Sequence, residues 1–135
     1  MRSLASYLKQ KPLVAILRGI QPKEVIDIAN VLVDSGFSII EVPLNSPAPL
    51  KSITLLADKF DEKILIGAGT VLQKADVKDV KSAGARLMVT PHANSDVIAS
   101  AKDLELICIP GFATPTAVSY THLRAHETLR YLVFR

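Results

Sequence analysis

Ser38-Ile-Ile-Glu-Val-Pro-Leu-Asn-Ser-Pro47 and Ile64-Leu-Ile-Gly-Ala-Gly-Thr70 are two short apolar runs, each passing directly into polar or small residues. Such runs are too short for helices and are bounded by turn residues, the pattern of strands buried on both faces. It recurs three more times. Leu13-Val-Ala-Ile-Leu17 runs into Arg18-Gly19, Leu87-Met-Val89 into Thr90-Pro91-His92, and Leu106-Ile-Cys-Ile109 into Pro110-Gly111. If the runs are parallel strands, their polar exits gather on one rim of the sheet. That is the rim on which βα barrels carry out chemistry.

The intervening segments have helical spacing. Pro22 fits a first helical turn, after which Val25, Ile28, Ala29, Leu32 and Val33 share one face and Gly36 suits the exit. Leu50, Ile53, Leu56, Ala57 and Phe60 repeat the pattern. Asp76 to Ala83 form a third predicted helix with Gly84 as its stop, and Asn94 or Ser95 caps a fourth carrying Val97, Ile98 and Ala101. A fifth strand is predicted at about Glu105 to Ile109, with Thr114 as the cap of a fifth helix. The repeat is βα, five times over, which predicts an α/β fold with a parallel sheet and right-handed crossovers. An open doubly wound sheet and a (βα)8 barrel both fit. No Gly-x-Gly-x-x-Gly turn follows the first strand, which weakens the dinucleotide-binding form of the open sheet. A barrel needs eight units and typically about 200 residues or more, so these 135 residues would carry part of one.

With 49% apolar and 21% charged residues, the chain reads as one globular domain rather than a disordered segment. The net charge of +3 is modest, and the lysines are spaced singly along predicted helices. They read as solvated faces, so no nucleic-acid partner is expected. The single cysteine, Cys108, lies inside an apolar run and reads as a buried, inert thiol. No stretch approaches the ~20 apolar residues of a membrane span, and the first ten residues lack a signal core. No membrane association and a cytoplasmic location are the expectation.

From about Ser119 the composition changes. Ser119 to Arg135 holds three arginines and no lysine, whereas residues 1–118 hold ten lysines and three arginines. Two of the three histidines and two of the three tyrosines also fall there. The segment resembles a translated sequencing-adapter read-through. Residues 1–118 are therefore expected to be the natural five-unit domain, and 119–135 a non-native tail. His122 and His126 stand at i, i+4, but Glu127 follows the second histidine instead of the first, which is not the zincin order. No metal site is expected.

The rim residues are the candidates for chemistry. Glu41, at the end of the second predicted strand, is open to two readings: an ion pair with Arg18 from the neighbouring strand, or a proton shuttle whose pKa is raised by apolar surroundings. Arg18 offers a fixed fork for a carboxylate or phosphate. Gly67-Ala68-Gly69-Thr70 is predicted as a small-residue turn whose backbone can approach an anion, with Thr70 adding a hydroxyl. Thr90-Pro91-His92 repeats the arrangement on the fourth strand, with His92 as a loop residue.

Taken together, Leu17-Arg-Gly-Ile20, Glu41-Val-Pro-Leu-Asn-Ser-Pro47, Ile66-Gly-Ala-Gly-Thr-Val-Leu72 and Val89-Thr-Pro91 resemble the 2-keto-3-deoxy-6-phosphogluconate/6-phosphogalactonate aldolase family. The Asn45-Ser46-Pro47 form, with Arg18-Gly19-Ile20, is most similar to its phosphogalactonate branch. The resemblance runs in order from about residue 10 to residue 118. It implies a homotrimeric (βα)8 TIM barrel performing class I aldol chemistry without metal or cofactor. Such an enzyme splits a phosphorylated 2-keto-3-deoxy sugar acid into pyruvate and glyceraldehyde 3-phosphate through a lysine Schiff base. Carried over by motif, Glu41 is the catalytic glutamate, while Arg18, Gly67, Ala68, Gly69, Thr70, Thr90 and Pro91 bind substrate.

The chain departs from this pattern at two points. The family's Schiff-base lysine lies on the sixth strand in a Lys-x-Phe-Pro type motif, which is absent here. The phosphate site, usually built after strands seven and eight, is absent too. The expectation is an aldolase chain truncated after five βα units, with no Schiff-base lysine of its own and inactive as it stands. A phosphogluconate or 4-hydroxy-2-oxoglutarate aldolase is the alternative substrate reading. A thiamin-phosphate synthase-like barrel is a second enzyme reading, but no acidic pair at strand ends is placed to hold its Mg²⁺. A barrel fragment with no function of its own is the non-enzyme reading.

Overall fold

The computed structural model of the chain describes residues 3–9 and 11–114. A short helix α1 (Leu4–Leu8) precedes strand β1 (Ala15–Ile16). There follow α2 (Val25–Asp34), β2 (Ile39–Pro43), α3 (Pro49–Phe60), a 3₁₀ turn (Asp61–Lys63) and β3 (Leu65–Gly69). The rest is α4 (Lys74–Ser82), β4 (Leu87–Thr90), α5 (Ser95–Asp103) and β5 (Ile107–Pro110). All pairs are parallel, and the sheet order is β1-β2-β3-β4-β5.

This order decides between the two architectures. A doubly wound sheet reverses its strand order and places helices on both faces. Here the order never reverses, and α2 through α5 all pack on one face. Ile40, Val42, Ile66, Ala68, Met88 and Cys108 form that face and are buried together with Val25 and Ala29 of α2, Ile53 and Leu56 of α3, and their equivalents in α4 and α5. The sheet is therefore an arc of a (βα)8 barrel. The helix predicted after Thr114 and the tail from Ser119 lie outside the described residues.

The opposite, inner face is lined at its lower end by the first residue of each of four strands, Ile39, Leu65, Leu87 and Ile107. Helix α1 closes this end with Leu4 and Tyr7. The sequence reading assigned α1 no role, because five residues show too little periodicity to count. Its position is fixed by hydrogen bonds over long sequence separations. Tyr7 Oη donates to Glu62 C=O at 2.9 Å and accepts from Arg86 Nη1 at 3.2 Å. Arg86 Nη2 in turn donates to the carbonyls of Asp61 and Ile64. The turn before β3 and the start of β4 are thereby tied to α1.

Several boundaries differ from expectation. The run Leu13–Leu17 was expected to be a buried strand, but only Ala15 and Ile16 pair, and Leu13 and Ile16 are 52% and 55% exposed. Among the described residues β1 has a neighbour on one side only, and half its ladder and much of its inner face have no cover from them. Helix α2 begins at Val25 and not at Pro22, and on it Ile28 faces solvent while Ile26 packs on the core in its place, the buried stripe being turned toward Ile26 and Ala29. Helix α4 starts two residues earlier than expected, where Asp76 Oδ2 accepts the Gln73 N–H at 3.1 Å in one half of a capping box. Asn94 caps α5 as expected, its Oδ1 accepting from Asp96 and Val97 N–H. No helix of the described residues is long and apolar enough to cross a membrane.

Tyr7→Phe removes one buried hydroxyl that both donates and accepts. It is expected to lower stability by about 1–2 kcal/mol, the weight of one or two hydrogen bonds. Urea denaturation measures this, and an unchanged midpoint would show that α1 is held by its apolar contacts alone.

Candidate active site on the inner face of the sheet

Glu41 is not at a strand end. It is the central residue of β2, paired with Ile16 on β1 and Gly67 on β3. Strand alternation places it on the inner face with Ile39, away from the helices. It is 4% exposed. The carboxylate rests where a side chain of β3 would otherwise be. A Cβ built on Gly69 would lie 1.3 Å from Glu41 Oε1 and 2.4 Å from its Cδ. Gly67 is constrained in the same way, since a Cβ there would meet Leu87 Cβ at 2.8 Å.

The predicted Gly67–Thr70 turn is corrected by this arrangement. Gly67, Ala68 and Gly69 are the last three residues of β3. Their smallness answers side chains from the neighbouring strands. Ala68 faces the opposite way, into the helix-side core, and is fully buried. Only Thr70 leaves the strand, with a left-handed φ of 58° that is uncommon for a β-branched residue.

Thr90 and Pro91 lie at the exit of β4. The Thr90 side chain is fully buried, and its Oγ1 donates to His92 C=O at 3.1 Å, so the hydroxyl proton is engaged in its own turn. Pro91 is exposed, and its carbonyl approaches Gly111 so closely that a Cβ there would sit 2.4 Å away. Gly111 N–H donates to Thr90 C=O at 2.7 Å. These contacts join the exits of β4 and β5. His92 is an exposed loop residue, as expected.

Arg18 follows β1 and is exposed. Its turn is joined to the β2 segment by Leu17 N–H donating to Glu41 C=O at 2.8 Å and by Gly19 N–H donating to Ser46 Oγ at 3.0 Å. Ser46 is a buried polar residue that the motif contained but sequence reasoning did not single out. Burial raises the Glu41 pKa above its ordinary value, and the Arg18 charge offsets this only in part. The two side chains form no ion pair within 4.0 Å, so the first of the two sequence readings of Glu41 does not describe the fold. Burial likewise pushes the Cys108 thiol up to about 12, in line with an inert thiol. Every lysine lies on a helix, in the 3₁₀ turn or in a connection, and none lies on a strand. Among the described residues no group of three or more His, Cys, Asp and Glu side chains is placed to hold a metal ion. His122 and His126 lie outside them.

The site is thus a desolvated carboxyl, with no hydrogen-bond donor from the described residues, beside an exposed guanidinium. Such a carboxyl holds its proton to higher pH than an ordinary glutamate, which suits a group that both gives and takes protons. Its raised pKa also has a consequence for stability. The folded chain binds this proton more tightly than the unfolded chain, so stability falls as pH rises through the ordinary carboxylate range and levels off above the raised value. Glu41→Gln removes the titration. Its stability relative to the parent chain is expected to rise with pH over that window, followed by urea denaturation between about pH 4 and pH 8. A difference that does not change with pH would show that burial leaves Glu41 unperturbed.

Comparison with known proteins agrees with the fold. The family model for KDPG and KHG aldolases matches residues 4–131. A 2-dehydro-3-deoxy-6-phosphogalactonate aldolase of Escherichia coli (strain K12) is 43% identical over 114 residues, covering 84% of this chain and 55% of the relative. A native KDPGal structure superposes with a TM-score of 0.81 at 40% identity, over 86% of this chain and 56% of that one. The KDPG aldolase of Legionella pneumophila, with pyruvate captured as a covalent carbinolamine, gives 0.75 at 28% identity, over 82% and 53%. The chain therefore spans about half the length of the relatives it matches. From its sequence motifs, its barrel arc and this match across most of its length, the chain belongs to the KDPG and KHG aldolase family.

Proposed function

We propose that this chain supplies the pyruvyl-binding half of a class I aldolase acting on 2-dehydro-3-deoxy-6-phosphogalactonate, with pyruvate and glyceraldehyde 3-phosphate as products. The observation that carries the reading is the Glu41 carboxyl, buried on the inner face over Gly69 and without an ion pair to any described residue. Aldol cleavage through a Schiff base needs one group that gives and takes protons in turn. A lysine amine adds to the keto carbon, and the carbinolamine loses water to give an iminium. The C3–C4 bond then breaks as a base takes the C4 hydroxyl proton, its electrons passing into the iminium as an enamine. Glu41 is the group proposed to move these protons. Arg18 is proposed to hold the substrate carboxylate, with Thr70 and the exits of β3 and β4, including Pro91, forming the wall around it.

The lysine is proposed to come from a part of the barrel beyond these βα units, since the described strands carry none. The chain alone is then inactive. The phosphogalactonate assignment is supported by 40% identity to the native KDPGal structure, against 28% to the Legionella KDPG aldolase. The same reading extends to a cytoplasmic homotrimer for a complete barrel and to residues 119–135 as a non-native tail.

Two experiments test the proposal. In a hybrid of residues 1–114 followed by the carboxyl-terminal part of the Escherichia coli relative, Glu41→Gln is expected to lower kcat about 100-fold or more, the usual scale for general acid–base catalysis. Near-normal turnover would remove Glu41 from proton transfer, and faster cleavage of the phosphogluconate epimer would reverse the substrate assignment. The 135-residue chain itself, incubated with pyruvate and borohydride, is expected to gain no mass. A stoichiometric gain mapped to one lysine would reveal a nucleophile within this chain.

A further inference from the structure

The guanidinium of Arg18 makes no hydrogen bond or ion pair with any described residue, although its charge acts on Glu41, so the backbone that carries it sets the point from which it reaches the site. That backbone is held at two points. Leu17 N–H donates to Glu41 C=O at 2.8 Å, and Gly19 N–H donates to Ser46 Oγ at 3.0 Å. The anchors stand immediately before and after Arg18. Both come from β2 and its exit loop, the segment that carries Glu41. The first is a sheet-type backbone bond that any residue supplies. The second depends on a side chain, and it holds a residue with a left-handed φ of 77°.

Ser46 is well placed to act as a fixed point. It is 7% exposed, so little water competes for its hydroxyl. Its own N–H donates to Pro43 C=O at 3.0 Å, which ties the loop back to the end of β2. Asn45 and Pro47 on either side are exposed. The chain thus buries one small hydroxyl between two exposed neighbours and aims it at the turn of another strand.

We propose that Ser46 is a positioning residue for substrate carboxylate binding. Its Oγ holds the Gly19 N–H and so fixes the backbone position of Arg18, the point from which the guanidinium reaches, relative to Glu41. This rests on the reading of Arg18 given above. Removing the hydroxyl frees the turn without changing any charge, so the loss falls on binding and leaves proton transfer by Glu41 intact.

Three variants separate this role from a structural one. In the hybrid enzyme, Ser46→Ala is expected to raise KM for the phosphorylated keto-acid about three- to tenfold, with kcat changed by less than about twofold. Ser46→Thr, which keeps the hydroxyl, restores KM. Arg18→Ala raises KM by itself, and on that background Ser46→Ala adds nothing further. In the 135-residue chain, hydrogen exchange at the Gly19 amide is expected to quicken in Ser46→Ala and not in Ser46→Thr. If Gly19 exchange quickens while KM stays at the parent value, or if the Ser46 and Arg18 effects add, Ser46 does not act through Arg18. Unchanged Gly19 exchange would mean that the anchor contributes nothing. An unchanged KM in Arg18→Ala would instead overturn the assignment of Arg18, and the role of Ser46 with it.

Discussion

The site depends on a steric exchange between two neighbouring strands. Glu41 extends a carboxylate across the inner face of the sheet, and β3 accommodates it by having no side chain at Gly69. Burying a carboxyl costs free energy unless the group is paired or protonated. Here no partner from the described residues pairs with it, so the proton is retained more firmly than in water. The fold therefore keeps a strained electrostatic situation in place through ordinary packing around it, and that situation is what general acid–base chemistry uses.

The rest of the sheet divides its work between its two ends. At the strand entrances the inner face is apolar, closed by Leu4 and Tyr7 of α1 and tied by Arg86 to two carbonyls and the tyrosine hydroxyl. These contacts serve stability. At the strand exits stand Arg18, Thr70, Pro91 and Gly111, held by short backbone bonds between adjacent exits. Rigidity at the first end allows strain and exposure at the second, where Thr70 adopts its left-handed conformation.

The arc has two free edges among the described residues. β1 pairs only with β2, and β5 only with β4. Large apolar side chains are exposed at both: Leu13 and Ile16 by β1, and Phe112 beyond β5. Ile16 is the clearest case, because it pairs in register with Glu41 yet is more than half exposed. An unpaired edge with apolar side chains is a site for further strand pairing. In the relatives, about twice as long, this arc corresponds to roughly half of the chain.

The alternation of short apolar runs with helical periodicity was enough to determine a parallel α/β chain, because a buried strand and an amphipathic helix leave different local patterns. Capping by Asn94 was legible for the same reason, whereas the roles expected of Glu41 and Arg18 came from the family resemblance of their motifs, local spacing having left Glu41 open to two readings. What local pattern could not show was which face of the sheet each residue meets. Gly67 and Gly69 read as a turn, since glycine signals a turn in the absence of neighbours, and only the register of β2, β3 and β4 reveals that they make room for Glu41 and Leu87. Ala68 and Thr90 belonged to motifs, yet strand alternation turns Ala68 to the helix side and the β4 turn engages the Thr90 hydroxyl. Helix α1 and the Ser46 anchor depend on contacts across 27 to 79 residues of sequence, which no window of neighbouring positions records. Composition and periodicity fixed the elements; the register between strands decided which side chains share the site.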